Sequence, residues 1–164
     1  MFFTHGEEDA ILKFQYTERL LKKRYVFIDC ENAGLLKNKN VIAICCDSAK
    51  ILGQYSVNEC KSKFYIGFYN AIEYSDGNAN PYFLNIMYAA YSDAFFEALT
   101  LAHTNKWTAN KFVFRLKRMI ENKITVAILQ ADNKKLGSVS QFNFYINSVN
   151  SLVCLGDGNQ AIYS

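Results

Sequence analysis

The run Arg24-Tyr-Val-Phe-Ile-Asp29-Cys-Glu31-Asn32-Ala-Gly34 holds the residues best placed for chemistry. Its apolar stretch, Tyr25 to Ile28, predicts a strand, and the strand ends in an aspartate with a glutamate two positions on. Ligands and metals gather just past the carboxyl ends of strands in open α/β sheets. Carboxylates there can hold Mg²⁺ or Mn²⁺ through oxygen, with water in the other positions. An ion so held activates water and stabilises a phosphodiester transition state. The same residues also read as a solvated strand-to-loop turn, with Asn32 and Gly34 supplying turn chemistry. Residue types alone leave both readings open.

A second group is basic. Lys106, Lys111, Arg115, Lys117, Arg118 and Lys123 interleave with Trp107, Phe112 and Phe114. Cations with stacking aromatics are how single nucleic-acid strands are held, which makes Lys111, Arg115 and Arg118 candidate RNA contacts. The competing reading is an amphipathic helix whose solvated face happens to be basic. Histidine chemistry has little to work with, because His5 and His103 are the only two. No Gly-x-Ser-x-Gly, phosphate-binding loop or Gly-x-Gly-x-x-Gly pattern is present.

The motif at residues 24–34 resembles the opening strand and loop of PIN-like ribonucleases of the NYN type, which carry Asp-x-Glu-Asn-x-Gly after an apolar strand. Asn40-Val-Ile-Ala-Ile-Cys-Cys and Ser48-Ala-Lys are similar to that family's second strand and following helix start. Ser75-Asp-Gly with Phe83, Tyr88 and Tyr91 resembles its later loop and third helix. The resemblance spans roughly residues 22–130. It implies a Rossmann-like sheet with flanking helices and metal-assisted hydrolysis of RNA, with Mg²⁺ or Mn²⁺ as cofactor. Carried over, Asp29, Glu31 and Asp132 would be the catalytic and metal-binding acids, and Asn32 would orient the loop. Asn80-Pro81-Tyr82 stands where the family has an acid, and Leu136 where it has a second late one. The alternative is therefore a non-catalytic domain that binds RNA or a protein partner, the latter including a second copy.

These side chains need elements to position them. The spacing of Ala10, Ile11, Phe14, Leu20 and Leu21 predicts an amphipathic helix over 7–22. Strands are expected at 25–28, 41–46 and 63–74, while 48–61 is ambiguous between helix and strand. Ser75 to Pro81 is a turn signal. Residues 82–102 predict a long, largely buried helix, and Thr108 is a candidate cap for a second helix to about Asn122. From Lys123 the β-branched run Ile124 to Leu129 predicts a strand. Asp132 to Lys135 predicts a turn, residues 138–155 more strand, and Gly156-Asp-Gly158 a last turn. A helix at 7–22, a PIN-like core at 24–130 and a β-rich extension at 131–164 make one domain of 1–164. The alternative fold is an α+β antiparallel sandwich.

Composition agrees with a folded domain. Hydrophobic residues are 51% of the 164, aromatics 15% and charged residues 20%, far from a disordered composition. Eighteen basic residues against 15 acidic ones allow an anionic partner without demanding one. Five cysteines, two of them adjacent and none in a Cys-x-x-Cys spacing, point to buried thiols in a reducing compartment. The acidic N-terminus and the lack of any apolar run of roughly 18 residues predict a cytoplasmic protein without a membrane span.

Overall fold

The computed structural model describes residues 2–3, 6–12, 26–71, 81–130 and 147–163. In chain order they form β1 (Phe2–Phe3), β2 (Gly6–Glu7), β3 (Ala10–Leu12), β4 (Val26–Asp29), β5 (Asn40–Ile44), α1 (Gln54–Asn58) and β6 (Phe64–Phe68), then α2 (Pro81–Thr104), α3 (Ala109–Gln130) and β7 (Leu152–Gly156). The fold is mixed α/β. It divides into two compact units, residues 1–71 with 152–160, and residues 72–151 with 161–164.

The first unit is built on a four-stranded sheet in the order β1-β5-β6-β7. β5 pairs parallel with β1 and with β6, while β6 pairs antiparallel with β7. The central strands are buried along their length, as the apolar runs Val41-Ile-Ala-Ile44 and Phe64-Tyr-Ile-Gly-Phe68 require of strands covered on both faces. The ambiguous segment after β5 is helical. A π-helix, Ala49–Gly53, runs directly into α1 and carries the chain back to β6. β7 ends at Gly156, whose φ of +83° and 2.8 Å clearance from the Lys63 carbonyl oxygen leave no room for a Cβ.

A separate three-stranded sheet, β2-β3-β4, is antiparallel throughout. Two expectations are corrected here. Residues 6–12 are not the start of a helix but two short strands, because Ala10 and Ile11 bury themselves by pairing with β4. The rest of that expected helix, residues 13–22, lies outside the described residues. The strand ending at Asp29 is where it was expected, yet it belongs to this antiparallel sheet and not to the parallel one. A core of Ile11, Ile28, Ala33, Leu36, Val41, Ala43, Cys45, Leu52 and Tyr65 joins the two sheets of this unit.

The second unit is a hairpin of the two long helices. α2 buries Met87, Ala90, Tyr91, Ala94, Phe95, Ala98 and Ala102, and α3 buries Phe112, Val113, Leu116, Ile120 and Ile124. Both sets repeat at three and four residues, so each makes one apolar stripe. The second half of α2 packs on α3 through the Glu97–Lys123 ion pair (2.8 Å) and the Phe95–Phe112 edge contact, while early α2, at Ile86 and Ala90, faces late α3 at Val126 and Ala127. The turn between the helices uses Lys106 at φ +48°. Thr108 Oγ1 then accepts from the Lys111 N–H at 3.4 Å, the cap that its position foretold.

The strand expected at 124–129 is helix. Ile124 continues the buried stripe of Leu116 and Ile120 one turn on, and that tertiary burial outweighs the β-branched preference of Ile124, Thr125 and Val126. Of the expected β-rich segment, residues 147–150 form one helical turn and β7 follows, with residues 138–146 outside the described set. Among the described residues, no helix is long and apolar enough to cross a membrane.

Candidate functional site

The Asp29 carboxylate is occupied by its own turn. The backbone N–H groups of Glu31 (3.0 Å) and Asn32 (3.1 Å) both donate to Asp29 Oδ1. Asn32 answers in reverse, its Oδ1 accepting the Asp29 N–H at 2.9 Å while its Nδ2 donates to the Phe27 carbonyl at 3.3 Å. The two side chains thus close the end of β4 reciprocally, as Asx turns do. A 3₁₀ turn, Ala33–Leu36, follows and anchors the loop through buried Ala33 and Leu36. Glu31 and Asn32 are exposed and Asp29 is half-buried.

Electrostatics add one neighbour that sequence reasoning missed. The Cys30 thiol is pushed above its ordinary value, first by burial and then by the negative fields of Asp9 and Asp29. Asp9 is there because its neighbour Ala10 pairs with Asp29 across the sheet. Among the described residues, no three His, Cys, Asp or Glu side chains gather into a metal-holding group. Asp132 lies outside those residues. Asp29 and Glu31 alone, with one Asp29 oxygen committed to the turn, are a smaller donor set than the three acids the family resemblance implies.

The carboxyl ends of the parallel strands carry a different set of charges. Lys50 Nζ lies 2.9 Å from Glu8 Oε1 and 2.8 Å from Asp47 Oδ1, and these two acids hold the Lys50 ammonium above its ordinary pKa. Asp47 adopts φ +54° three residues past β5, and the Glu8 carbonyl accepts the N–H groups of Ile51 (3.0 Å) and Leu52 (2.9 Å). Beneath this network Ser48 Oγ donates to the Cys45 carbonyl at 3.2 Å. Gly67 leaves space for that hydroxyl, since a Cβ there would sit 2.8 Å from it. Lys50, shared between two acids, fastens the π-helix to the β2–β3 turn and leaves the trio one negative charge in excess. Glu8 and Lys50 are 42 positions apart, so no local pattern announces the pair.

The basic candidates on α3 separate into two groups. Lys117 Nζ donates to the Asn150 carbonyl at 3.0 Å, and burial lowers its pKa. Lys123 is held by Glu97. Lys111, Arg115 and Arg118 are instead exposed on the side opposite the buried stripe. At 3.6 residues per turn they share about 100° of arc with Phe114, whose ring is 61% exposed. Lys111 Nζ also sits 5.8 Å from the Trp107 ring centroid, a cation–π contact that orients it. Neither Arg115 nor Arg118 forms an ion pair among the described residues. Further along α3 the exposed face turns apolar at Val126 and Leu129. A cleft of about 470 Å³ lies between late α3 and early α2, with Ile86, Ala90, Val126 and Ala127 in its walls.

The comparisons with known proteins add no relative to these observations: no family model, curated protein or solved structure matches the chain.

Proposed function

We propose that the chain is an RNA-binding module whose contact surface is the basic face of α3. One observation carries this reading: Lys111, Arg115 and Arg118 form an exposed stripe around an exposed Phe114, while Lys117 and Lys123 are engaged within their own unit. Two arginines that pair with no acid among the described residues invite an anionic partner, and their planar forks suit phosphate. The test is RNA affinity against salt. Three neutralised phosphates on a single strand predict a slope of log K on log [salt] near −2, from about −0.7 per contact. Affinity independent of salt would sink the reading.

The second reading is the PIN-like nuclease, with Asp29 and Glu31 as metal-binding acids, Asn32 as loop support, and Asp132 as the third acid. The Asp-x-Glu-Asn-x-Gly motif supports it, as does the α/β crossover from β5 through α1 to parallel β6. The antiparallel setting of β4 and the engaged Asp29 oxygen weigh toward the binding module. RNA cleavage with Mn²⁺ or Mg²⁺ by the wild type, lost in Asp29→Asn, would reverse the order of the two readings. A protein partner or a second copy is the other occupant for the apolar end of α3, but the cations favour RNA for the basic end.

A further inference from the structure

We propose that the α3 stripe takes single-stranded in preference to duplex RNA, with Phe114 as the platform on which one unpaired base stacks. This rests on the RNA-binding reading above. Phe114 is large and apolar, exposed to 61%, and set among Lys111, Arg115 and Arg118 on one helical face. Phe96 is as exposed, at 60%, but it lies on α2 and its ring meets Phe95 edge-on at 5.9 Å, and Phe95 in turn packs edge-on against Phe112. Among the described residues Phe114 stacks on no ring. A solvated face ordinarily carries polar side chains, so an uncovered phenyl ring amid cations is matched by a ligand that is both anionic and flat.

Single-stranded RNA has that chemistry. Its phosphates pair with the cations, and its unstacked bases offer a π-face to an aromatic ring irrespective of sequence. A duplex keeps its bases stacked against one another, and its deep, narrow major groove admits no side chain from a convex helix. Lys111 and Arg118 are about 10 Å apart along the axis. The basic side chains therefore border Phe114 closely enough for one short strand to meet phosphate contacts and ring together. Phenyl has no hydrogen-bonding group, so the platform selects for strandedness and not for sequence.

The test uses the full chain and two fluorescent probes of one sequence, a 12-nucleotide unstructured RNA and its blunt duplex, read by anisotropy. The wild type should bind the single strand more tightly. Phe114→Ala should weaken single-strand binding about tenfold, the scale of one lost stacking contact, and leave duplex binding within about twofold. Phe114→Leu, apolar but unable to stack, should behave like Phe114→Ala, and Phe114→Tyr should retain wild-type affinity. Exposure of the ring keeps these variants folded, which a thermal melt checks. Equal losses on both probes, no loss on either, or a wild-type preference for duplex would overturn the inference while RNA binding stands. No salt-sensitive binding of either probe would remove the RNA-binding reading itself.

Discussion

The Asp29–Asn32 turn and the α3 stripe both drew attention as polar residues at informative spacing, yet they direct their polar groups oppositely. In the turn, Asp29 and Asn32 bond each other's backbone, and the Asn32 amide also reaches Phe27. Hydrogen-bonding capacity there goes into closing the chain after β4. On α3, Arg115 and Arg118 are exposed to solvent, while Lys117 between them is engaged. The lesson concerns residue type: an acid at a strand end is a candidate ligand only while its oxygens are free, and a cation on a helix is a candidate contact only while no acid or carbonyl holds it.

The contrast breaks most visibly in RNA affinity. Arg115→Ala combined with Arg118→Ala should lower it on the order of 100-fold at low salt and reduce the salt slope by about 0.7 for each residue. Asp29→Asn should leave both unchanged in the same anisotropy titration. Next in size is a pH effect in the core of the first unit. Burial pushes the Cys45 thiol up to about 11 from 9.0. The folded state therefore keeps a proton that the unfolded chain releases between those values, so stability falls as pH rises from 9 to 11, by about 2 kcal/mol. Denaturant midpoints across that range should show the fall, and Cys45→Ala should remove this share of it, leaving the shares of Cys154 and Tyr65, which burial also pushes up.

A smaller effect tests the turn itself. Asp29→Ala removes the acceptor of two N–H bonds and should cost about 1–2 kcal/mol, whereas Asp29→Asn, which keeps an oxygen there, should cost under about 1 kcal/mol. Asn32→Ala should cost about 1 kcal/mol for its cap-like bond. Thermal melts read all three, and a fully silent Asp29→Ala would return that carboxylate to the candidates for external chemistry. The smallest expected effect lies on α3. Arg115→Ala and Arg118→Ala should each stay within about 0.5 kcal/mol of wild-type stability, as exposed surface side chains do.

How far the sequence foretold these regions follows from the physics of each signal. Val41–Ile44 and Phe64–Phe68 were readable because buried parallel strands are continuous apolar runs, and α2 and the Thr108 cap because a long amphipathic period and a capping residue are local features. β1, β2 and β3 were not, since strands of two or three residues show no period and exist only through their partners. The end of α3 misled because β-branched Ile124, Thr125 and Val126 mimic a strand until their burial against α2 is known. Asp29, Glu31 and Asn32 were found by type, but whether the carboxylate was free or engaged depended on turn geometry. The Glu8–Lys50 pair was invisible because its members meet only once the Ile51 and Leu52 N–H groups bond the Glu8 carbonyl, a contact across 43 and 44 positions.

The most direct measurement is a potassium chloride titration of RNA affinity for three proteins side by side: wild type, Asp29→Asn, and the Arg115→Ala/Arg118→Ala double variant. The predicted result is a slope near −2 for the first two and a slope near −0.7 for the third. A wild-type slope near zero, or a loss of slope in Asp29→Asn with none in the double variant, would contradict the assignment of the binding surface to α3.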